Sequence, residues 1–367
     1  MISLRSPGAI GLGLDELDTP ALILDLDVLR ANLDRMAQLF AKTSVRLRPH
    51  AKTHKTPNIA LMQLERGAIG IACAKLGEAE VLAAGGVRGL LLTTEVVGDT
   101  KIRRLVGVSK QVAMTVVVDD FSAAERISDA ATAAGLRLDC LVDVNVGQNR
   151  TGIEPGEAAL NLARKIQTLK GLTLTGLQGY EGHLQFVAEI EERRRLNAQS
   201  MQLLTHTASL LAENGLRVDV VSTAGTGTCQ MAAGFSGITE VQPGSYIVMD
   251  TQYNAVQGVD FKTSLTVLTS VVSVNRPNAV IVDAGYKAVS TDAGQPKVRG
   301  MDGDFTTQGD EHGKITFASG NPLSLGDRVE LLPSHCDTTI NLYDVYHVVS
   351  EGRVIALWPI LGRGRTQ

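Results

Sequence analysis

The feature that most constrains this chain is an alternation of short apolar runs with helix-like stretches. The apolar runs begin with VRLRP (45–49), IGIAC (69–73), GLLLT (89–93) and MTVVV (114–118). They continue with LDCLVDV (138–144), LTLTGLQ (172–178), VDVVST (218–223) and TEVQPGSYIV (239–248). Each is apolar nearly throughout, the pattern of a strand covered on both faces. Helical patterns lie between them, among them LGEAEVLAAGG (76–86) and a long stretch from 189 that stops at Gly215. Eight such units predict an α/β fold, a (β/α)8 TIM barrel. A doubly wound open sheet is the competing architecture, and the missing GxGxxG after the first strand weighs against it.

Near Asp260 the pattern changes. The segments 264–275, 278–285, 313–318, 326–335 and 343–360 read as strands joined by turns, with a hairpin loop at 350–353 and no helix. We therefore expect a barrel over 20–258 and a C-terminal all-β domain over 259–367. Residues 1–19 are free to join the second domain, and the strand ALILDLD (21–27) could pair with either. A length of 367 residues suits two domains. The net charge of -4 gives no reason to expect nucleic acid. No apolar stretch approaches a membrane span, the N-terminus lacks a signal-peptide layout, and four scattered cysteines form no CxxC pair. A cytoplasmic protein is expected.

In a barrel the C-terminal ends of the strands supply the active site. The first strand ends in RPHAKTHK, with Arg48, His50, Lys52, His54 and Lys55. That basic crowd suits an anion or is a solvated turn. The fifth strand is followed by NVGQNRTG, with Asn145, Asn149 and Arg150, and the sixth by Gln178, Tyr180 and His183. The seventh leads into STAGTGT (222–228), whose backbone N–H groups and hydroxyls suit a phosphate. The eighth leads into QPGSY (242–246). A lysine on strand one opposite a phosphate suggests pyridoxal phosphate held as a Schiff base, since a lysine among cations is more readily neutral.

With these pieces in place the chain resembles a known family, the fold-type III pyridoxal-phosphate enzymes of the D-threonine aldolase and D-serine dehydratase group. The motifs that carry the resemblance are DTPALILDLD, RPHAKTHK, NVGQNRTG, STAGTGT, QPGSY and PSHCDTT, spread over nearly the whole chain. The resemblance implies an alanine racemase-like arrangement of barrel and β-domain. It makes Lys52 the cofactor lysine, with Lys55 the alternative, and puts Arg150 and Tyr180 beside the cofactor. It assigns the phosphate to Thr223, Gly225, Thr226 and Gly227, with Gly244, Ser245 and Tyr246 closing the cradle. Tyr246 could equally be a packing residue.

In PSHCDTT, an extended segment would point His335 and Asp337 the same way and Cys336 the other. The resemblance implies a divalent ion there, and imidazole with carboxylate suits Mn²⁺ or Mg²⁺, where a thiolate would suit Zn²⁺. The expected reaction is cleavage of a D-β-hydroxy-α-amino acid to glycine and an aldehyde. His183 and a metal-held hydroxide are the candidate bases. The alternatives are a dehydratase of the same group, a racemase using Tyr286 as its second base, and a non-catalytic pyridoxal-phosphate carrier. A homodimer, with sites between one barrel and the other chain's β-domain, is the assembly that the resemblance implies.

Overall fold

A computed structural model describes residues 7–367 and divides into two compact units. The first unit takes the described residues up to Leu33, then 245–255 and 260–363; the second takes 34–244, 256–259 and 364–367. The boundary expected at 20 thus falls later, inside the helix Leu26–Phe40. The reason is the strand β1 (Ala21–Asp25), which pairs antiparallel and parallel with two strands of the β-domain and carries the start of that helix with it.

The second unit is the barrel. Its strands are β2 (Arg46–Leu47), β3 (Ile71–Cys73), β4 (Leu90–Leu92), β5 (Met114–Val118), β6 (Leu138–Asp143), β7 (Leu172–Gly179), β8 (Val220–Thr223) and β9 (Glu240–Val241). They run parallel in the order β2-β9-β8-β7-β6-β5-β4-β3. Three backbone bonds close the ring between the first strand and β3: Ile69 N to Leu47 O at 2.9 Å, Ala72 N to Pro49 O at 2.8 Å and Ala51 N to Ala72 O at 2.7 Å. All eight runs expected as strands are strands. The last is much shorter than its apolar run, because Pro243 cannot donate to a ladder and Ser245–Ile247 turns into a 3-10 helix. The long helix spans Ile190–Glu213, and Gly215 follows its end with φ 76°.

The first unit is a nine-stranded sheet. β1 is joined there by β10 (Leu265–Arg276), β11 (Ala279–Val282), β12 (Lys297–Val298) and β13 (Asp304–Thr307). Then come β14 (Gly313–Thr316), β15 (Arg328–Leu332), β16 (Val345–Ser350) and β17 (Arg353–Pro359). The main path runs β13-β14-β11-β10-β1-β16-β17, with β15 pairing β10 and β12. The expected hairpin joins β16 and β17, where Glu351 and Gly352 both take positive φ, as a tight two-residue turn requires. Residues before β1 join this unit. Ala9 and Leu17 pack with Ala21, Ile23, Leu268, Val349 and Val354, and Gly11 N donates to Val354 O at 2.8 Å. Of the segment 1–19, residues 1–6 lie outside the described residues. Among the described residues no helix is long and apolar enough to cross a membrane.

Candidate active site

The basic crowd after β2 sorts itself by partner. Arg48 reaches Glu240 on β9 with two bonds of 2.9 and 3.0 Å and adds a third to Gly89 O at 2.8 Å. Its anion is internal, and it ties β2 to its neighbour. Lys55, held at φ 53°, donates to Glu78 Oε1 at 2.6 Å, and both side chains are almost fully buried. Glu78 is fixed in turn by the backbone N–H groups of Ala74 and Lys75. Lys55 is therefore committed to the fold. Lys52 is half-buried, and its backbone N–H donates to His50 Nδ1 at 3.2 Å. His50 Nε2 lies 3.1 Å from Thr93 Oγ1, beyond the end of β4. His54 is buried and accepts from Thr56 N, so it shapes the turn.

Arg150 and Tyr180 come together, with the guanidinium carbon 5.4 Å from the ring centroid. They share a cleft with Asp143, Asn145, Thr151 and Gln178. Asn145 builds the loop that presents Arg150: its Oδ1 accepts from Gly147 N and Asn149 N, each at 3.1 Å. His183 is exposed on the 3-10 turn Gly182–Leu184 and lies against Gly147, where a Cβ would meet its ring at 3.4 Å. Partial burial holds its pKa below the ordinary histidine value, so it is neutral near pH 7 and able to accept a proton.

Beneath the strand ends runs a buried polar belt. Gln178 Nε2 donates to Asp143 Oδ1 at 2.9 Å and to Thr93 O at 3.2 Å. Gln242 Nε2 donates to Gln178 Oε1 at 3.1 Å and to Ser222 Oγ at 2.7 Å. Asp143 also accepts from Thr151 Oγ1 at 3.0 Å. Beside it, burial and then the Asp143 charge push the Glu95 carboxyl up to about 7. Burial raises Asp143 as well, against hydrogen bonds from Gln178, Glu95 and Thr151 that favour its charge. The pair therefore keeps a proton towards neutral pH.

The loop 222–228 is braced from outside by side chains that are themselves fully buried. Glu181 accepts from Thr228 Oγ1 at 2.6 Å, Thr223 Oγ1 at 3.2 Å, Ala224 N at 3.3 Å and Asn197 Nδ2 at 3.3 Å. Gln185 accepts from Gly227 N and donates to Thr228 Oγ1, both at 2.9 Å. Arg193 Nε donates to Gly227 O at 2.9 Å. A Cβ on Gly225 or Gly227 would come within 2.6 or 2.5 Å of Gln185 atoms, so only glycine lets the loop lie this close. The Thr223 hydroxyl and the Gly227 N–H thus serve the loop itself. The turn before Ser245 lies against the Lys52 loop: His50 N donates to Pro243 O at 3.1 Å, and a Cβ on Gly244 would meet Thr53 Oγ1 at 2.9 Å. The Tyr246 ring is buried and packs edge-on against Phe261, with centroids 5.5 Å apart.

In the first unit, PSHCDTT is not the extended segment expected. His335 caps a short helix, Cys336–Ile340, so the period of two does not apply. The pair converges all the same, because a cap and a first-turn residue lie side by side: His335 Nε2 is 3.7 Å from Asp337 Oδ2. Cys336 is fully buried, and burial pushes its thiol far up, so it is no ligand. His335 is raised to about 9, first by Asp337 and then, against desolvation, by Asp292. Two donors with bonds of about 2.0–2.2 Å to one ion can span such a gap. Among the described residues no set of three His, Cys, Asp or Glu ligands gathers anywhere. Tyr286 stands half-exposed on its loop.

Comparison with known proteins decides the family. The alanine racemase N-terminal domain family matches residues 24–252, and a serine dehydratase domain family matches 264–349. The chain is 38% identical to a D-threonine aldolase from Arthrobacter sp. over 99% of its own length and 97% of that protein's. It belongs to the D-threonine aldolase family. A second relative in this family, a 3-hydroxy-D-aspartate aldolase of Paracoccus denitrificans (strain Pd 1222), is 36% identical over 98% of this chain and 95% of its own. The crystal structure of D-threonine aldolase from Filomicrobium marinum superposes with a TM-score of 0.96 at 37% identity, covering 99% of this chain and all of the other. The chain is thus a lyase of the aldolase type on a fold-type III pyridoxal-phosphate scaffold.

Sequence reasoning missed Glu95, Glu181 and Asp292. No spacing marks them, since each acts through a partner distant in sequence.

Proposed function

We propose that this chain is a pyridoxal-phosphate- and divalent-metal-dependent aldolase that cleaves D-β-hydroxy-α-amino acids to glycine and an aldehyde. D-Threonine and 3-hydroxy-D-aspartate are the substrates that its relatives' names suggest. The observation that carries the reading is the pairing of His335 with an oxygen donor, Asp337, which suits Mn²⁺ or Mg²⁺ better than Zn²⁺. When bound, pyridoxal phosphate supplies an electron sink for the broken Cα–Cβ bond, and a divalent ion supplies a Lewis acid for the β-oxygen.

The chain's own residues do the rest. Lys52 would hold the cofactor through its side-chain amine. Thr226, in the loop that Glu181, Gln185 and Arg193 brace, would hold the phosphate, with Gly244 and Ser245 of the separate QPGSY turn as its further binding residues. Arg150, which lies over the Tyr180 ring, would offer its positive charge to the cofactor's phenolic oxygen or the substrate carboxylate. His183 would take the β-hydroxyl proton as the aldehyde carbonyl forms and the Cα–Cβ bond breaks, and the return of one proton to Cα, from His183 or water, would complete glycine. The protein works as a cytoplasmic homodimer in this reading, and four free, buried cysteines agree with a reducing compartment.

The test is the product. With D-threonine, glycine and acetaldehyde should appear, chelation should stop their release while cofactor absorbance remains, and Mn²⁺ should restore it better than Zn²⁺. Ammonia and a keto acid would instead identify a dehydratase, and chelator-resistant racemisation a racemase.

A further inference from the structure

We propose that Asp292 is a positioning residue for the metal site: its carboxylate holds His335 by Nδ1, leaving Nε2 turned to Asp337 as the nitrogen that takes the ion. The inference rests on the metal reading above.

The geometry is specific. His335 Nδ1 lies 2.6 Å from Asp292 Oδ2, whereas its Nε2 faces Asp337 Oδ2 across 3.7 Å. One ring nitrogen is within hydrogen-bonding distance of a carboxylate. The other stands at a gap too long for a good hydrogen bond and of the right order for a shared cation. Asp292 is itself anchored. Its Oδ1 accepts from Ser290 Oγ at 2.6 Å and from Thr338 Oγ1 at 2.9 Å, and Thr338 follows Asp337 on the same helical turn. Two further bonds fasten the two segments: Ser290 N to Thr339 Oγ1 and Ser334 Oγ to Ser290 O, each at 3.3 Å.

An acid whose side chain is 46% exposed adds little to stability through a single bond. Three partners nevertheless converge on it. A ring fixed through one nitrogen presents the other in one orientation and one tautomer. Asp292 acts through His335, since no third ligand gathers with the pair among the described residues.

The experiment measures Mn²⁺ binding to the metal-stripped holoenzyme by electron paramagnetic resonance, for the wild type, Asp292→Ala and Asp292→Asn. Asp292→Ala should weaken binding on the order of 10–100-fold, with cofactor absorbance and metal-free melting temperature unchanged. Asp292→Asn keeps an oxygen for the Nδ1–H and should recover most of the affinity. Equal affinity in wild type and Asp292→Ala overturns the inference, as does an Asp292→Asn variant no better than Asp292→Ala, which would make the charge or direct ligation the cause. A wild type that binds no Mn²⁺ overturns the metal reading itself, and the two failures are distinct.

Discussion

Lys52 and Lys55 stand three residues apart in one motif, and neighbours tell them apart. Lys55 is neutralised by Glu78 in a buried pair, and breaking such a pair costs about 3–5 kcal/mol. Lys55→Ala should therefore unfold more easily and yet bind pyridoxal phosphate when folded. Lys52→Ala should fold normally and lose covalent attachment. Borohydride reduction and peptide mapping of the wild type should recover the pyridoxyl group on Lys52; finding it on Lys55 would refute the assignment. The Glu95 carboxyl makes a second prediction at this scale. Its folded pKa of about 7 exceeds the ordinary 4.5, so its contribution to stability is complete below pH 4.5 and is lost as pH rises through 7. Glu95→Gln cannot ionise. Its melting temperature relative to wild type should thus climb between pH 5 and pH 8, and a constant difference would remove the shared proton.

At the scale of elements, the loop 222–228 is a piece of backbone held in place by a carboxylate. Thr228 Oγ1 already accepts from Gln185 Nε2 and Gly225 N while donating to Glu181. An amide in place of Glu181 must turn an NH2 towards that saturated hydroxyl or towards the Ala224 N–H. Glu181→Gln should accordingly cost about 1–3 kcal/mol for the groups left facing a donor and weaken pyridoxal phosphate binding by tenfold or more, read by cofactor titration. Unchanged affinity would mean that the loop holds its shape without the acid.

The same scale shows what the sequence makes legible. The eight barrel strands are readable because each is buried on both faces and therefore apolar throughout. β12 and β13 are not: they have two and four residues, and KV and DFTT carry no alternation. His335 and Asp337 converge for a reason that the alternation of a strand does not carry, because a helix cap and a first-turn residue lie side by side. Arg48 looked like part of an anion site because its true partner, Glu240, lies 192 residues away. Buried acids such as Glu181 are invisible to any pattern, because the partners that make them tolerable come from several elements.

For the whole molecule, assembly is the open prediction. Val272 and Ile355, on β10 and β17, are 43% and 48% exposed, two separate apolar positions open to a partner subunit in the proposed homodimer. Sedimentation at assay concentration should find a dimer. A monomer with full activity would sink both the assembly and the sharing of sites between subunits. One further consequence lies in β1. Leu22 and His347 touch although 325 residues separate them, and every barrel strand is encoded in between. During synthesis β1 emerges before either of its partners: one edge waits for β10, paired through Leu268, and the other stays open until β16, paired through His347, has been made. For most of its synthesis ALILD is an apolar segment with unfilled edges, a natural substrate for a chaperone. Placing residues 7–25 after β17 would let the strand arrive when both of its partners are already made, and dock at once.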